Sequence, residues 1–521
     1  MPIAISPIFI YKSCIFYLVL PIIFFFLGWL KIGIGIILSF LLLLTCNIFL
    51  KKISIAATND KNITLSKEYY ISFIILFLFL LSTGNTGFVG CWGTDIPWRN
   101  AIYQDLIRQP WPVIYDYSQS MLCYYMTFWL VPAEIAALLG LNETGSNIVL
   151  LMWMYVGLIL IFFLLCDILK PNKEYVVLIT IILLFFSGIN MLGMIICNVF
   201  IESTPLVSDY PGRTSWSFSS FVINGYHAVY IIRTFYLCLA DVYNQFFSIA
   251  ISTLLFLRFK NSIELYAFVG LMVLPYSPIG FIGVFIVIFL ELICDACRIK
   301  NFEKCLKKCF STTNVLAAVS LVPVFYFYFS MNFYATALFE QNESLNYGFL
   351  YVPLNQYNSA RISFLFLYYI FYFGIYALLI YENYKNESVF FISLFCLIVF
   401  PIFRIGSGED FNFNATICPY LLLFVLIAKK LLGAWNGNRQ KLKDIVLVCC
   451  LSIAMLTPVI QIATSFRSAY LQHSISYKWS PWKPPLSHDS LSDKDSDAFK
   501  NFMARYYQER IFYKYLAKQS D

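Results

Sequence analysis

The sequence predicts an all-α fold, a polytopic bundle of about 11–13 transmembrane helices. The 521 residues are 60% hydrophobic and only 12% charged, whereas soluble domains carry about 25% charged residues. Many windows hold roughly 17–22 nearly uncharged apolar residues, the length that crosses a bilayer as a helix. These windows are continuously apolar rather than alternating, which favours helices over membrane-spanning strands. The composition therefore excludes an ordinary soluble enzyme.

The individual spans follow from the apolar windows, and the basic loops between them indicate direction. Loops rich in Lys and Arg, above all 298–308 and 429–443, are expected on the cytoplasmic side. The net charge of +7 lies in such short loops, so it indicates topology rather than nucleic-acid binding. The predicted spans are 9–29, 32–50, 70–89, 147–168, 175–197, 238–257, 265–275 with 278–297, 312–332, 362–381, 388–404, 415–432 and 444–464.

With the basic loops inside, the long polar segments all fall outside. We therefore expect one membrane domain, residues 1–464, and a polar external tail, residues 465–521. The start of the chain is expected to be a retained first helix, because no clear small-residue cleavage site follows it. The external segments of the membrane domain are 90–146, which should carry juxtamembrane helices, 198–237, 333–361 and 405–414.

Two apolar segments are not expected to cross as single helices. Residues 121–140 are aromatic and contain Pro132 and Glu134. Burying that carboxylate in the membrane would cost roughly 2.5–3.5 kcal/mol, so the segment should lie along the outer surface or re-enter. Residues 265–297 are predicted to form two short helices that meet at 275–278, because both ends of this segment should be cytoplasmic.

The most informative polar insert, about residues 90–120, directly follows an apolar span. Its Asp95 should stand at the water–lipid boundary, where a carboxylate stays ionised and meets a lipid-borne substrate. We expect Asp95 to be a general base or a cation ligand; a helix N-cap before Pro97 is a compatible alternative. Asp105 lies about three helical turns further on and could support Asp95 in catalysis. A surface ion pair with Arg108 or Arg99 is the favoured alternative for Asp105.

A second group of polar residues lies between two spans, from Arg404 to Thr416. Arg404 could hold a phosphate, and Glu409 and Asp410 could coordinate or orient a substrate. The alternatives are an arginine that snorkels to the membrane edge and a polar turn that caps the next helix with Asn414 or Thr416.

A third group contains Arg213, His227, Arg233 and Asp241, which we also count as substrate-binding candidates. Arg233 and Asp241 are eight residues apart in a mainly apolar run and could face one groove. Ionisable residues within a membrane favour a functional interpretation, although a structural Arg–Asp pair explains these two equally well. His227 is a lone histidine that could equally be a structural hydrogen-bond donor.

No metal site is expected from the sequence, and the cofactor is unknown. The paired cysteines at 294–309 resemble the paired ligands of a zinc site, but the first pair ends a span and the others lie in a basic loop. The carboxylates of the external loops leave a divalent cation, Mg²⁺ or Mn²⁺, open as a cofactor. Walker A, HExxH and GxSxG motifs are absent from the sequence.

Two parts of the chain resemble the GT-C superfamily of membrane glycosyltransferases, which includes protein mannosyltransferases and aminoarabinose transferases. In that superfamily an acidic residue follows an early span and a juxtamembrane helix comes next. Residues 93–106, with Asp95 and Asp105, look like the first element, and residues 112–133, with Tyr124-Tyr125, look like the second. Asp95 follows the third predicted span rather than the first, which two added N-terminal helices would explain.

The turn Glu409-Asp410-Phe411 looks like an Asn-Asp-Phe motif of uncharacterised bacterial polytopic membrane proteins. A Met-Arg pair commonly follows that motif, whereas this chain has Phe413-Asn414. The phosphate-binding role of the missing arginine would then pass to Arg404.

The resemblance implies sugar transfer from a polyprenyl-phosphate donor to a glycan, lipid or protein acceptor. The enzyme would lie in the plasma (inner) membrane with its site facing the periplasm or the outside. Asp95 would activate the acceptor, and the external carboxylates, Asp410 among them, would gather around one hollow. An O-antigen-type polymerase or ligase, and a non-enzymatic transporter or flippase for lipid-linked glycans, are the alternatives.

Overall fold

The fold was obtained as a computed structural model, in which helices dominate and strands are short. The described residues are 3–57, 61–85, 96–193, 221–223, 226–230, 232–299, 302–332, 348–349, 365–404, 410–437, 441–474 and 501–519. Helices α1 to α19, in chain order, are Pro7–Trp29, Ile32–Ala56, Lys67–Ser82, Ile96–Arg108, Leu130–Leu138, Glu143–Leu169, Val176–Phe185, Phe235–Asp241, Tyr243–Arg258, Tyr266–Leu271, Pro278–Ile299, Phe302–Cys309, Thr312–Phe329, Leu365–Tyr384, Ser388–Val399, Asp410–Ala415, Ile417–Trp435, Lys441–Ala454 and Leu456–Ser474.

Nine helical segments in the described ranges are long and apolar enough to cross a membrane, with 18 to 27 residues each; three of them, Lys173–Gly193, Asp410–Trp435 and Leu442–Arg467, extend beyond or combine the helices named above. Their bounds follow the predicted apolar windows closely, as α1 and α2 illustrate. The prediction of an all-α, multi-pass membrane protein is confirmed at this level.

Some predicted spans are interrupted or short. The window 238–257 is divided at Val242 into α8 and α9. The segment 121–140 contains a strand and a short apolar helical segment, Thr127–Leu138, too short to cross a bilayer. The two helices predicted to meet at 275–278 are both present: the first, α10, is short as predicted, whereas the second begins at Pro278 as predicted but is not short. Residues 278–299 form one 22-residue helix, α11, that is long enough to span on its own.

Close backbone contact brings α11 against the short helix α16. A Cβ atom on Gly283 of α11 would lie 2.7 Å from the Cα atom of Ala415. Real Cβ atoms essentially never come so close, so only glycine permits this approach. The contact fixes α16, and with it Asn414, at the edge of the bundle core.

The short strands tie distant parts of the chain together, and all their pairings are antiparallel. One three-stranded sheet joins two strands of the polar insert to the C-terminal segment, with Ser120 opposite Arg505. Helix α19 runs to Ser474, ten residues past the predicted end of the membrane domain. The strands, β1 to β9 in chain order, are Ala4–Ile5, Ile63–Thr64, Ile114–Tyr115, Ser120–Leu122, Phe221–Ile223, Tyr226–Tyr230, Gly348–Phe349, Phe403–Arg404 and Met503–Arg505.

The C-terminal segment 501–519 packs back onto the membrane domain. Its residue Ala517 pairs with Leu30, between α1 and α2, and the Lys518 N–H donates to the Trp29 carbonyl at 2.9 Å. At its other end, the Asn332 side chain donates to the carbonyls of Cys123 and Asn501, both at 2.8 Å. The final residues therefore belong to the folded body rather than to a detached tail.

Candidate functional site

A buried ion pair joins the two ends of the short helix α8. The Thr234 hydroxyl caps this helix by accepting the Leu237 N–H at 3.1 Å. The cap places Arg233 immediately before the helix and Asp241 at its last position, two turns away. Arg233 Nη2 donates to Asp241 Oδ2 at 2.9 Å, with only 9% and 14% of the two side chains exposed. The predicted pairing of these two residues is therefore present.

The same guanidinium reaches the second group of predicted site residues. Arg233 Nη1 donates to Asn414 Oδ1 at 3.1 Å, and its guanidinium carbon lies 4.7 Å above the centre of the Phe413 ring. The Asn414 amide also donates to the carbonyl of Asp410, at 3.1 Å, across one turn of α16. Two segments that are about 180 residues apart thus meet at Arg233.

This meeting point changes the roles expected for the 404–416 segment. Asn414 lies in the segment that was expected to hold a phosphate, yet it binds an arginine from elsewhere in the chain. The alternative role of Asn414 or Thr416 as a side-chain cap of the next helix is wrong. Helix α17 begins at Ile417 without a side-chain cap hydrogen bond, and the Thr416 hydroxyl donates to the Asn412 carbonyl instead.

An apolar cavity opens beside Arg233. It is small, with a cavity volume of about 30 Å³, and it is partly open to solvent. The Tyr420 hydroxyl, which is buried, has no hydrogen-bond partner in the described structure, and its ring packs on Phe186 with 4.9 Å between ring centres. The lining residues are Leu183, Phe186, Arg233, Phe235, Cys238, Phe246, Ile417, Tyr420, Leu421 and Phe424.

Asp105 lies elsewhere, in the interior of the folded polar insert. The structure contradicts the favoured alternative of a surface ion pair, since Asp105 on α4 is fully buried. The Tyr115 hydroxyl donates to Asp105 Oδ2 at 3.1 Å, and Arg108 donates to Gln104 Oε1 at 3.2 Å. Burial, together with the neighbouring Asp105 carboxylate, raises the pKa of Tyr115 well above its ordinary value. These contacts hold α4 against the strands that follow it.

Several predicted site residues lie outside the part of the chain that the structure describes. The predicted proximity of Asp95 and Asp410 accordingly stays a prediction, although Asp95 immediately precedes the first residue of α4, Ile96. Arg404 is in β8, paired with Gly348, and His227 is in β6, but only their backbones are described. The residues wholly outside the described ranges are Asp95, Arg213 and Glu409.

Among the described residues, no three His, Cys, Asp or Glu side chains come together as a potential metal site. Asp95 and Glu409 are not among these described residues.

Sequence reasoning missed Asn414 as a partner of Arg233 and Tyr420 as a residue of the cavity. Tyr420 lies inside an apolar window, where a tyrosine ordinarily indicates packing. No family model matches the chain, and no match was found among the curated proteins or the solved structures. The functional argument therefore depends on the chemistry of the site itself.

Proposed function

We propose that this chain is a membrane glycosyltransferase with a GT-C-like helical bundle. It moves a sugar from a polyprenyl-phosphate donor to an acceptor hydroxyl at the external face of the plasma membrane. The observation that carries the proposal is the buried guanidinium of Arg233 at the wall of an apolar cavity. A lipid phosphate offers the complementary pair of features, an anionic head and an apolar chain.

The hydrogen bonds of Arg233 leave capacity for such a head group. A guanidinium has five N–H groups, and the bonds to Asp241 and Asn414 use two of them, which leaves three. Tyr420, whose buried hydroxyl has no hydrogen-bond partner among the described residues, lines the same cavity and could supply a further donor. Because Asp241 already compensates the guanidinium charge, a bound phosphate must compete with this carboxylate. We therefore expect Arg233 to shift from Asp241 toward the phosphate when the donor binds.

The proposed reaction breaks the bond between the sugar anomeric carbon and the phosphate oxygen. The acceptor oxygen forms the new bond to that carbon, and Asp95 takes the acceptor proton as general base. The leaving polyprenyl phosphate keeps the electron pair, and Arg233 stabilises the negative charge that develops on it. Direct attack by the acceptor would invert the anomeric configuration. The further substrate-binding candidates, Arg404, Glu409, Asp410, Arg213 and His227, keep the roles proposed from the sequence.

Lipid binding by the purified protein tests the cavity assignment. Native mass spectrometry would measure undecaprenyl phosphate retained by the protein in nanodiscs, with undecaprenol as the uncharged comparator. We expect the wild type to prefer the phosphate. Arg233→Lys should reduce this preference by about tenfold or more, because a lysine lacks the planar fork of donors, and Arg233→Gln should remove it.

Arg258→Lys is the matched control for that measurement. Arg258 also pairs with a buried aspartate, Asp167, at 2.8 Å, but it does not line the cavity. Its lysine variant should bind undecaprenyl phosphate like the wild type. Equal retention of undecaprenyl phosphate and undecaprenol by the wild type would overturn the proposed lipid-phosphate site.

Turnover tests the proposed base separately. Membranes containing the wild type or Asp95→Asn would be supplied with undecaprenyl phosphate mannose, glucose or N-acetylglucosamine, and released undecaprenyl phosphate would be quantified. We expect the variant to lose about 10²-fold or more of the release while its lipid binding is unchanged. Release at the wild-type rate by Asp95→Asn would contradict the proposed mechanism and favour the polymerase or ligase alternative.

A further inference from the structure

An unusual buried amide lies one turn into helix α4. Asn100 is only 2% exposed, and neither its amide nitrogen nor its amide oxygen has a hydrogen-bond partner in the described part of the chain. Buried polar groups are nearly always paired, because leaving them unpaired costs folding free energy. An amide kept in this state therefore indicates a role other than holding the fold together.

Asn314 illustrates what a structural buried asparagine does in the same protein. Its amide nitrogen donates to the carbonyls of Ile263 and Cys309, at 3.2 and 2.9 Å. Its amide oxygen accepts the Phe268 N–H at 3.1 Å. Both ends of this side chain are thus used by the backbone, in contrast to Asn100.

A second buried asparagine, Asn244, stands at the start of α9. Its nitrogen donates weakly to the Tyr125 carbonyl, at 3.4 Å, while its oxygen has no partner within the described ranges. The adjacent Tyr243 hydroxyl accepts from the Trp129 indole at 3.0 Å. The guanidinium of Arg99, next to Asn100, interacts electrostatically with this Tyr243 hydroxyl. The start of α4 and the start of α9 therefore approach each other.

Aromatic rings connect the same two helix starts. The ring of Phe502, from the C-terminal segment, lies 5.9 Å from Trp98 and 4.8 Å from Tyr124, centre to centre. Tyr124 in turn lies 3.7 Å from Tyr125, whose carbonyl binds Asn244. We call this group the aromatic–amide junction: Trp98, Asn100, Tyr124, Tyr125, Asn244 and Phe502.

We infer that the aromatic–amide junction binds the saccharide part of a substrate. This inference rests on the proposed function and names the residues that would recognise the sugar. An amide offers both donors and acceptors, which matches hydroxyl groups that donate and accept at once. Aromatic rings complement the C–H faces of a sugar ring. Asn100 follows the proposed base Asp95 by five residues in the sequence, and on this basis we assign the junction to the sugar end of the donor.

A comparison of lipids with and without a sugar tests the inference. Native mass spectrometry would compare the retention of undecaprenyl phosphate with that of its mannose, glucose and N-acetylglucosamine esters. We expect the wild type to bind at least one ester more tightly than the bare lipid phosphate. Asn100→Ala and Asn244→Ala should each reduce this sugar-dependent gain by about three- to tenfold, the effect of one neutral hydrogen bond. Binding of undecaprenyl phosphate itself should not change.

Two asparagines outside the junction provide controls. Asn172 is a surface residue whose amide donates to the Asn436 amide oxygen at 3.0 Å, and Asn172→Ala should keep the full sugar-dependent gain. Asn314→Ala should keep that gain as well if it folds. A gain that survives in both Asn100→Ala and Asn244→Ala, or no gain in the wild type for any of the three esters, would overturn the inference. Failure of the wild type to retain any of the lipids would instead overturn the proposed function.

Thermal unfolding without ligand separates a binding role from a structural role. Asn100→Ala removes an unpartnered buried amide, so its unfolding temperature should equal or exceed that of the wild type. Asn314→Ala breaks three hydrogen bonds and should unfold at a lower temperature. A drop for Asn100→Ala as large as that for Asn314→Ala would assign Asn100 to the scaffold and contradict the inference.

Discussion

Two buried Arg–Asp pairs use the same chemistry in two different surroundings. Arg258 Nε donates to Asp167 Oδ2 at 2.8 Å, and the Tyr11 hydroxyl donates to the same oxygen at 2.5 Å. The Asp167 side chain is 3% exposed, and the guanidinium of Arg258 lies over the rings of Tyr11 and Phe259. This pair joins α1, α6 and α9; its Asp167 end is packed among their side chains, while 21% of the Arg258 side chain is exposed.

The pair of Arg233 and Asp241 differs in what surrounds it. It borders an apolar cavity, its second partner is the amide of Asn414, and the neighbouring Tyr420 hydroxyl has no partner in the described structure. An ion pair whose carboxylate is tightly packed serves the fold, because that carboxylate has no room for another partner. An ion pair beside a cavity can exchange partners. The surroundings, rather than the pair itself, therefore distinguish a structural role from a binding role.

The largest expected effect is on stability. Arg258→Gln leaves the Asp167 carboxylate buried without its cation and should cost about 3 kcal/mol of folding free energy. Arg233→Gln should cost less, because the Asp241 side chain is more exposed than that of Asp167. Thermal unfolding of both variants in the same detergent tests this order. An equal or larger loss for Arg233→Gln would mean that both pairs serve the fold.

The next effect concerns the amide that supports Arg233. Asn414→Ala removes the acceptor for Arg233 Nη1, so the guanidinium should be positioned less precisely toward a lipid phosphate. We expect undecaprenyl phosphate binding to weaken about tenfold, or about 1.4 kcal/mol. Tyr11→Phe, which alters the other pair, is the control and should leave lipid binding unchanged. Unchanged binding in Asn414→Ala would remove α16 from the proposed site.

Removing the charge that competes for Arg233 should act in the opposite direction. Asp241→Asn keeps an oxygen acceptor of the same shape but deletes the negative charge. We expect undecaprenyl phosphate to bind several-fold more tightly, by roughly 1 kcal/mol, since the phosphate no longer competes with a carboxylate. Weaker binding by this variant would show that Asp241 positions Arg233 instead of competing for it.

The smallest expected effect separates binding from packing at the cavity wall. Tyr420→Phe removes a hydroxyl that has no partner in the described residues, so stability should not fall. Undecaprenyl phosphate binding should weaken by about threefold, the effect of one modest hydrogen bond. Native mass spectrometry and thermal unfolding of one preparation give both values. A loss of stability without a change in binding would identify a hidden structural partner for the hydroxyl.

The sequence alone determined the class of fold and most helix bounds. Apolar windows long enough to cross a bilayer leave the backbone little choice other than a helix, because every peptide group must be hydrogen-bonded within the segment. The windows at 9–29 and 32–50 accordingly became α1 and α2. The eight-residue spacing also indicated the Arg233–Asp241 pair, because it equals about two helical turns.

The tertiary structure alone decided which distant residues meet. Asn414 binds Arg233 because Gly283 lets α11 approach α16, a contact that no local pattern encodes. Tyr420 and Asn100 look like ordinary helix residues in the sequence. They stand out only once their neighbours are known, since an unpaired polar atom is a property of its surroundings. The helix at 278–299 begins where its apolar window predicts, but it is long enough to span alone, which the topology rules did not indicate because they constrain where the chain ends face and not how its segments pack.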